Sequence, residues 1–385
     1  MDDVQSRLAQ RFRKQQTFTA GYSPLYARLF GIIADWLTVK PGSDPLVDWL
    51  VQTAAGRSSF DTTLLLLAGL HRDILAGCPE VEALARYFPT VGGTLSCENE
   101  EIVASLRRAL ESRHETLAAF VQTAQVQTNE TARGLCWLLP VCYPGWQAIH
   151  LVDLGASAGL NLVADQRSYC LICRDRENEG TIHLGSGAPF QFTVTGEGAF
   201  QPPLTTICPT IRTRIGGDIA PVLLDTIHDE RYLASFVWGD QPERLSVLRQ
   251  GIAAVHRVHQ TDAPIQLHQV NLPHHLPNFL EEQISPLVDA PVVLFNTYLT
   301  TYLPDKGASM RHHLAAWAAH QSQPVLWLQW EPPRKGKVAP AFGWVEWTAD
   351  LWQQGRHHHW HLAWTHPHGS RIRWLPDWLD WVACW

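Results

Sequence analysis

The chain lacks a long apolar run. Its longest, Leu64-Leu65-Leu66-Leu67-Ala68-Gly69-Leu70, falls well short of the roughly 20 apolar residues a helix needs to cross a bilayer, so no membrane partner is expected. The opening residues, Met1-Asp2-Asp3-Val4-Gln5-Ser6-Arg7, have no apolar signal segment, and a cytoplasmic location follows as the expectation. Positive charge is also short: 30 Lys and Arg stand against 37 Asp and Glu, a net charge of −7. Binding a nucleic-acid backbone needs a basic face, so nucleic acid is set aside as the main partner. The eight cysteines are scattered and mostly embedded in apolar sequence, as at Cys136 and Cys142. That suits buried thiols in a reducing compartment and excludes a dense disulfide framework. Cys170-x-x-Cys173 has metal or redox spacing, but a zinc site wants a second close pair and there is none. It is read as structural, and no metal is expected.

What is present is an ordinary globular composition, 45% hydrophobic and 17% charged over 385 residues, long enough for two domains with real cores. Tryptophan is abundant, 17 residues that fall mostly after Trp317. An indole needs a packed body and a partner for its N–H, so the C-terminal part is expected to be a well-ordered sheet. Residues 1–145 read as a helical domain. Tyr22, Leu25, Tyr26, Leu29, Phe30, Ile33 and Leu37 form a helical stripe. Asp61 can cap a helix running to Leu75, a long helix is expected from Glu98 to Val121, and another from Thr128 to Leu139. Pro140, Pro144 and Gly145 mark the junction. Residues 146–385 then alternate strands and helices.

The chain is organised around Ile149-His150-Leu151-Val152-Asp153-Leu154-Gly155-Ala156-Ser157-Ala158-Gly159-Leu160-Asn161. An apolar run reads as a buried strand, and Gly155, Ala156, Ser157 and Gly159 as a tight turn. Leu160 to Ala164 reads as the first turns of a helix, the arrangement in which open α/β sheets bind nucleotides. Read as Asp-x-Gly-x-x-x-Gly, the stretch looks like the first motif of a class I S-adenosylmethionine-dependent methyltransferase. Read as Gly155-x-Ser157-x-Gly159, it is the nucleophile elbow of an α/β-hydrolase. A nicotinamide site is the weaker fit, because Gly-x-Gly-x-x-Gly is missing.

The rest of the chain favours the methyltransferase pattern. A hydrolase elbow follows several βα units, whereas everything before Ile149 reads as helical. The hydrolase reading would draw on His366 or His368 with Asp305 or Asp289, and no spacing compels the choice. In the methyltransferase reading Asp153 orients the turn, and the second strand ends in an acid that accepts from both ribose hydroxyls. Asp218 fits, with Asp175 or Glu177 as alternatives. Asn271 ends the third strand near the adenine. Asn296 and Tyr298 end the fourth, facing the methyl group. Glu331 ends the fifth, and Tyr298 or Glu331 can serve as the base. Asn161 completes the cofactor-binding set. About 174–209 reads as an insertion, and a final antiparallel hairpin closes the sheet.

Several stretches also resemble the uncharacterised bacterial family called domain of unknown function 2332. They are Tyr22-Ser23-Pro24-Leu25-Tyr26, Gln127-Thr128-Asn129-Glu130, Leu154 to Leu162, Asp218-Ile219-Ala220-Pro221 and Trp238-Gly239-Asp240-Gln241. The family typically has Trp-Pro-Asp-Gln at the last site, so Gly239 departs from it. It often has Asp-Arg-Tyr where this chain has Asp165-Gln166-Arg167-Ser168-Tyr169. The resemblance implies a shared fold and brings no reaction with it.

Three further clusters have two readings each. Asn129, Glu130 and Arg133 either fold over the pocket or cap and solvate a helix. Asp240, Gln241 and Arg244 are either a site or a helix cap. His357, His359 and His361 share one strand face and form either a metal site or a Trp-packed surface; the second is expected. The fold expected is thus α/β, a Rossmann-like methyltransferase-type sheet preceded by an all-helical N-terminal domain. The expected cofactor is S-adenosylmethionine and the expected substrate a small molecule.

Overall fold

After a first helix, Asp2–Thr19, the next three begin where the sequence supplies side-chain acceptors. Ser23, Asp44 and Ser58 each accept an N–H from the first turn of the helices Pro24–Trp36, Pro45–Thr53 and Ser59–Leu75, satisfying a donor the helix itself leaves unpaired. Asp61 is therefore inside its helix, donating its N–H to Ser58. The single helix expected over Glu98–Val121 is two, Glu101–Ser112 and His114–Thr123. They part at Arg113, whose guanidinium reaches Asp73 at 2.9 Å and Glu80 at 3.4 Å.

The computed structural model describes residues 2–127, 130–174, 179–185, 189–195, 208–334, 336–341, 343–366 and 370–385. It divides into two units, Met1–Asn129 with Leu224–Arg249, and Glu130–Leu223 with Gln250–Trp385. In the first unit Leu29, Phe30, Ile33, Leu65, Leu66, Leu106 and Leu117 are buried in one core. The returning segment is tied to it by two of the family-like stretches. Asp240 accepts from Ser23 Oγ at 2.7 Å and from the Leu25 N–H at 3.1 Å, and Gln241 Nε2 donates to the Tyr22 carbonyl at 3.0 Å. The Trp238 ring stacks on both Tyr22 and Tyr26, at 4.8 and 5.3 Å between centroids. Asp240 does act as a helix cap, but for a helix more than 200 residues upstream.

The second unit carries one sheet of eleven strands. They are β1 (Ala148–Leu154), β2 (Ser168–Arg174), β3 (Glu179–Leu184), β4 (Pro189–Thr195), β5 (Thr210–Asp218), β6 (Ile265–Gln269), β7 (Val292–Thr297), β8 (Val325–Glu331), β9 (Val345–Gln353), β10 (Arg356–Thr365) and β11 (Arg371–Trp374). The spatial order is β3-β2-β4-β11-β10-β9-β8-β7-β1-β5-β6. From β6 to β8 the strands are parallel, with β1 at the centre. β9, β10 and β11 follow as an antiparallel meander. The expected terminal hairpin forms but does not close the sheet, because β11 continues onto β4, β2 and β3. The stretch read as an insertion thus supplies two strands of the same sheet, β3 at its edge and β4 between β2 and β11. Side chains alternate along β1: Val152 and Leu154 join the core with Leu280, Leu294 and Leu314, and Asp153 takes the other face.

Several of the tryptophans pack on each other. Trp374 stacks on Trp378 at 3.9 Å, and Trp330 meets Trp347 edge-on at 5.2 Å. The indole N–H groups of Trp330, Trp347, Trp378, Trp381 and Trp385 are buried with no acceptor among the described residues, contrary to the expectation that each finds one. Ring contacts and burial outweigh the missing bonds here. No helix among the described residues is long and apolar enough to cross a membrane.

A Cβ added at Gly239 would overlap the Phe88 ring. Gly239→Ala is expected to destabilise the protein by about 1–3 kcal/mol, the usual cost of overpacking. Phe88→Leu in the same chain should recover part of that loss, with urea denaturation of the single and double variants as the check.

Candidate functional site

At the end of β1 the chain turns sharply. Gly155 has φ +90°, and the N–H groups of Gly155 and Ala156 both donate to the Gly217 carbonyl, at 2.8 and 3.3 Å. Ser157 also takes a positive φ, 51°, and donates its N–H to Asp218 Oδ2 at 2.8 Å. Asp218 Oδ1 accepts from the Ala220 N–H at 2.9 Å. A Cβ at Gly159, φ +71°, would lie 3.1 Å from Ile265, so both glycines are required by conformation and by space. The expected glycine turn is present, but three of its N–H groups, those of Gly155, Ala156 and Ser157, are already engaged within the protein.

The helix expected from Leu160 does not form. The chain makes turns to Val163, a 3-10 turn at Ala164–Gln166, and then enters β2. The physical reason is competition for carbonyls. Trp137 Nε1 takes the Asn161 carbonyl at 2.8 Å, and the Arg214 guanidinium takes that of Leu162. Arg214 also holds both oxygens of Asp165, at 2.7 and 2.6 Å. Those carbonyls are what a helix would use four residues later.

Asp153 is 3% exposed, and no donor among the described residues lies within hydrogen-bond distance of its carboxyl. Burial, then the charge of Asp218, hold that carboxyl well above the usual range. Cys136 is buried near both Asp153 and Glu331, and its thiol is pushed well up by burial. Asn296 is fully buried; it accepts from Trp327 Nε1 at 2.7 Å and donates to Glu331 Oε1 at 2.5 Å. Glu331 further accepts from the Leu299 N–H, the Thr300 N–H and Thr300 Oγ1. Burial raises its carboxyl while these bonds oppose the rise.

Tyr298 follows with φ 58°. Its hydroxyl donates to the Gly343 carbonyl at 3.2 Å and burial pushes it up to about 12. The Arg133 guanidinium lies 4.1 Å from the centre of the Tyr298 ring, a cation–π contact. Arg133 and Glu130 are both buried, so the segment before β1 packs over the site rather than facing solvent. Gly134 permits this approach, because a Cβ there would meet Ala164 and the Asn161 carbonyl. Asn129 lies outside the described residues.

Of the other expected residues, Asn161 has a buried side-chain oxygen without a partner among the described residues, and Asn271 is exposed. Asp175, Glu177 and His368 fall outside the described residues. Asp289 pairs with His150 and Arg212 near the start of β1, at the other end of the strand from the turn. Asp305 accepts from the Gly307 and Ser309 N–H groups. No group of three or more His, Cys, Asp or Glu among the described residues is arranged to hold a metal ion. His357 and His359 both bond Asp350 Oδ1, at 2.9 and 2.8 Å, and His357 stacks on Trp352. Sequence reasoning missed Arg214, Asp165 and Trp137; Arg214 stands beside Arg212 and Thr213 in a polar half of its strand, and nothing local marks it as the buried one.

The sequence matches the model of a family described as "Uncharacterized protein conserved in bacteria (DUF2332)" over residues 9–374. No curated protein matches it.

The Asp153 carboxyl holds its proton to higher pH when folded than when unfolded. The unfolded chain therefore loses that proton first, and stability falls as pH rises from about pH 4, the ordinary carboxylate range. Asp153→Asn should remove this fall. At neutral pH the variant is expected to be more stable by about 1–3 kcal/mol, the gap closing towards about pH 4. Urea melts across that pH series measure it; a wild type more stable than the variant at neutral pH would mean that the carboxylate is paired.

Proposed function

The chain belongs to the bacterial DUF2332 family, and from its strand ends we propose that it binds S-adenosylmethionine at the carboxyl ends of β1, β5, β6 and β7 and transfers the methyl group to a small molecule. The observation that carries this reading is Asp153, a buried carboxyl without a donor beside a glycine turn at the end of the central strand. A buried acid of this kind is expensive unless a ligand supplies positive charge or hydroxyl donors.

The strand order supports the position. The parallel run goes β6, β5, β1, β7, β8, which in order along the chain is third, second, first, fourth, fifth. Open α/β sheets with that order bind ligands at the carboxyl ends where the order reverses, beside the first strand. The chemistry argues for the type of ligand. With no helix after the turn there is no dipole to favour a phosphate, and Asp153 and Asp218 would repel one. A nucleoside carrying a sulfonium and an ammonium group, and no phosphate, suits two acids. Asp218 keeps a second lone pair on each oxygen for ribose hydroxyls. Asn271 stands exposed just after β6 for the base, and Asn161 offers a buried side-chain oxygen just after the turn.

Tyr298 and Glu331 act here by position. Glu331 fixes the loop from Asn296 to Thr300 through four hydrogen bonds. Tyr298 stays neutral at physiological pH and offers a ring backed by Arg133. Catalysis then rests on aligning acceptor and methyl group in line. The same two observations favour a second reading, a protein that binds the nucleotide without turning it over.

Titration calorimetry with S-adenosylmethionine and S-adenosylhomocysteine on the wild type and on Asp153→Ala tests the site. Micromolar binding, weakened at least tenfold in the variant, is expected. Absence of heat for both ligands at millimolar concentration would overturn the reading. Where binding is found, transfer of labelled methyl to a small-molecule pool separates the enzyme from the binder.

A further inference from the structure

Two thiols face each other at the opposite ends of the strands that carry the candidate site. Cys142 ends the 3-10 turn Pro140–Cys142, shortly before β1, and is buried; Cys208 stands just before β5 and is half-buried. β1 and β5 are parallel neighbours that start together at Ala148 and Thr210, so both cysteines flank one end of one strand pair. Their sulfurs are 3.7 Å apart, and the Cys142 thiol also lies 3.2 Å from the Leu138 carbonyl. Both are reduced. The remaining close sequence pair, Cys170 and Cys173, is three residues apart on β2, which directs the two side chains to opposite faces.

We propose that Cys142 and Cys208 are a thiol–disulfide exchange site that reacts with low-molecular-weight disulfides of the glutathione class and closes to a reversible cross-link between the entries of β1 and β5. Cys208 is the attacking thiol, since it is the more exposed. Its hydrogen-bond contact with the Cys142 sulfur holds its thiol below the ordinary value, which enlarges its thiolate fraction. Its thiolate attacks one sulfur of the small disulfide, forms a mixed disulfide and releases one thiolate. The Cys142 thiol gives up its proton and attacks Cys208 Sγ. The protein disulfide forms and the second small thiolate leaves. The two protein thiols are oxidised, the small disulfide is reduced to two thiols, and the two protons go to the thiolates released. Excess thiol runs the sequence backwards.

The loop so closed contains β1, the glycine turn and β2 to β4, so the cross-link restricts the unfolded chain over a long segment. It is independent of which ligand the site at the other strand ends takes.

The protein is incubated with oxidised glutathione, trapped with N-ethylmaleimide and mapped as peptides without reduction. The expected result is a linked pair of peptides carrying Cys142 and Cys208, two fewer reactive thiols, a melting temperature raised by several degrees, and full reversal by dithiothreitol. In Cys142→Ser the glutathione adduct should remain on Cys208, and Cys208→Ser should yield neither species. The proposal is overturned by a wild type that shows no oxidation, that keeps glutathione on Cys208 without the link, or that links other cysteines. The wild-type map decides this even if a variant fails to fold.

Discussion

Gly217 gives its carbonyl to two N–H groups, and Asp218 gives its carboxylate to two more, so the last two residues of β5 hold four backbone donors. Three of them belong to the turn after β1. That turn has no helix behind it, so its shape depends on the neighbouring strand as well as on its own bonds from Gly159 to Ala156 and from Leu162 to Gly159. The Arg214–Asp165 pair, also anchored in β5, fixes the far side of the same turn. Breaking a buried pair of this kind leaves a charge uncompensated, and the turn would lose its second anchor. What these contacts leave over is Asp153, the acid of the stretch without a donor.

β1, β7 and β8 are legible because they are short apolar runs bounded by glycine, proline or acid, and each stands within a residue or two of where the sequence puts it. The helix after the turn was not legible as absent. Leu160 to Ala164 has helical composition, and the groups that defeat it are Trp137 and Arg214, distant along the chain. The same limit applies to Glu331. At a strand end it has the type of a base, and only the fold brings Asn296, Leu299 and Thr300 to it. Local pattern gives the element, and tertiary contacts decide the role of its polar ends.

Histidine and tryptophan illustrate a related point in the strands after Trp317. His357 and His359 share a face, as alternation requires, and are taken up by Asp350 and by ring stacking on Trp352. Spacing placed them together. The carboxylate they meet comes from the opposite strand, where His359 stands in register with Asp350.

The packing of Gly239 against Phe88 also limits how the first unit can change. A side chain at 239 needs the ring at 88 to shrink or to move, so the two positions, far apart in sequence, behave as one site: neither can be altered freely while the other stays as it is.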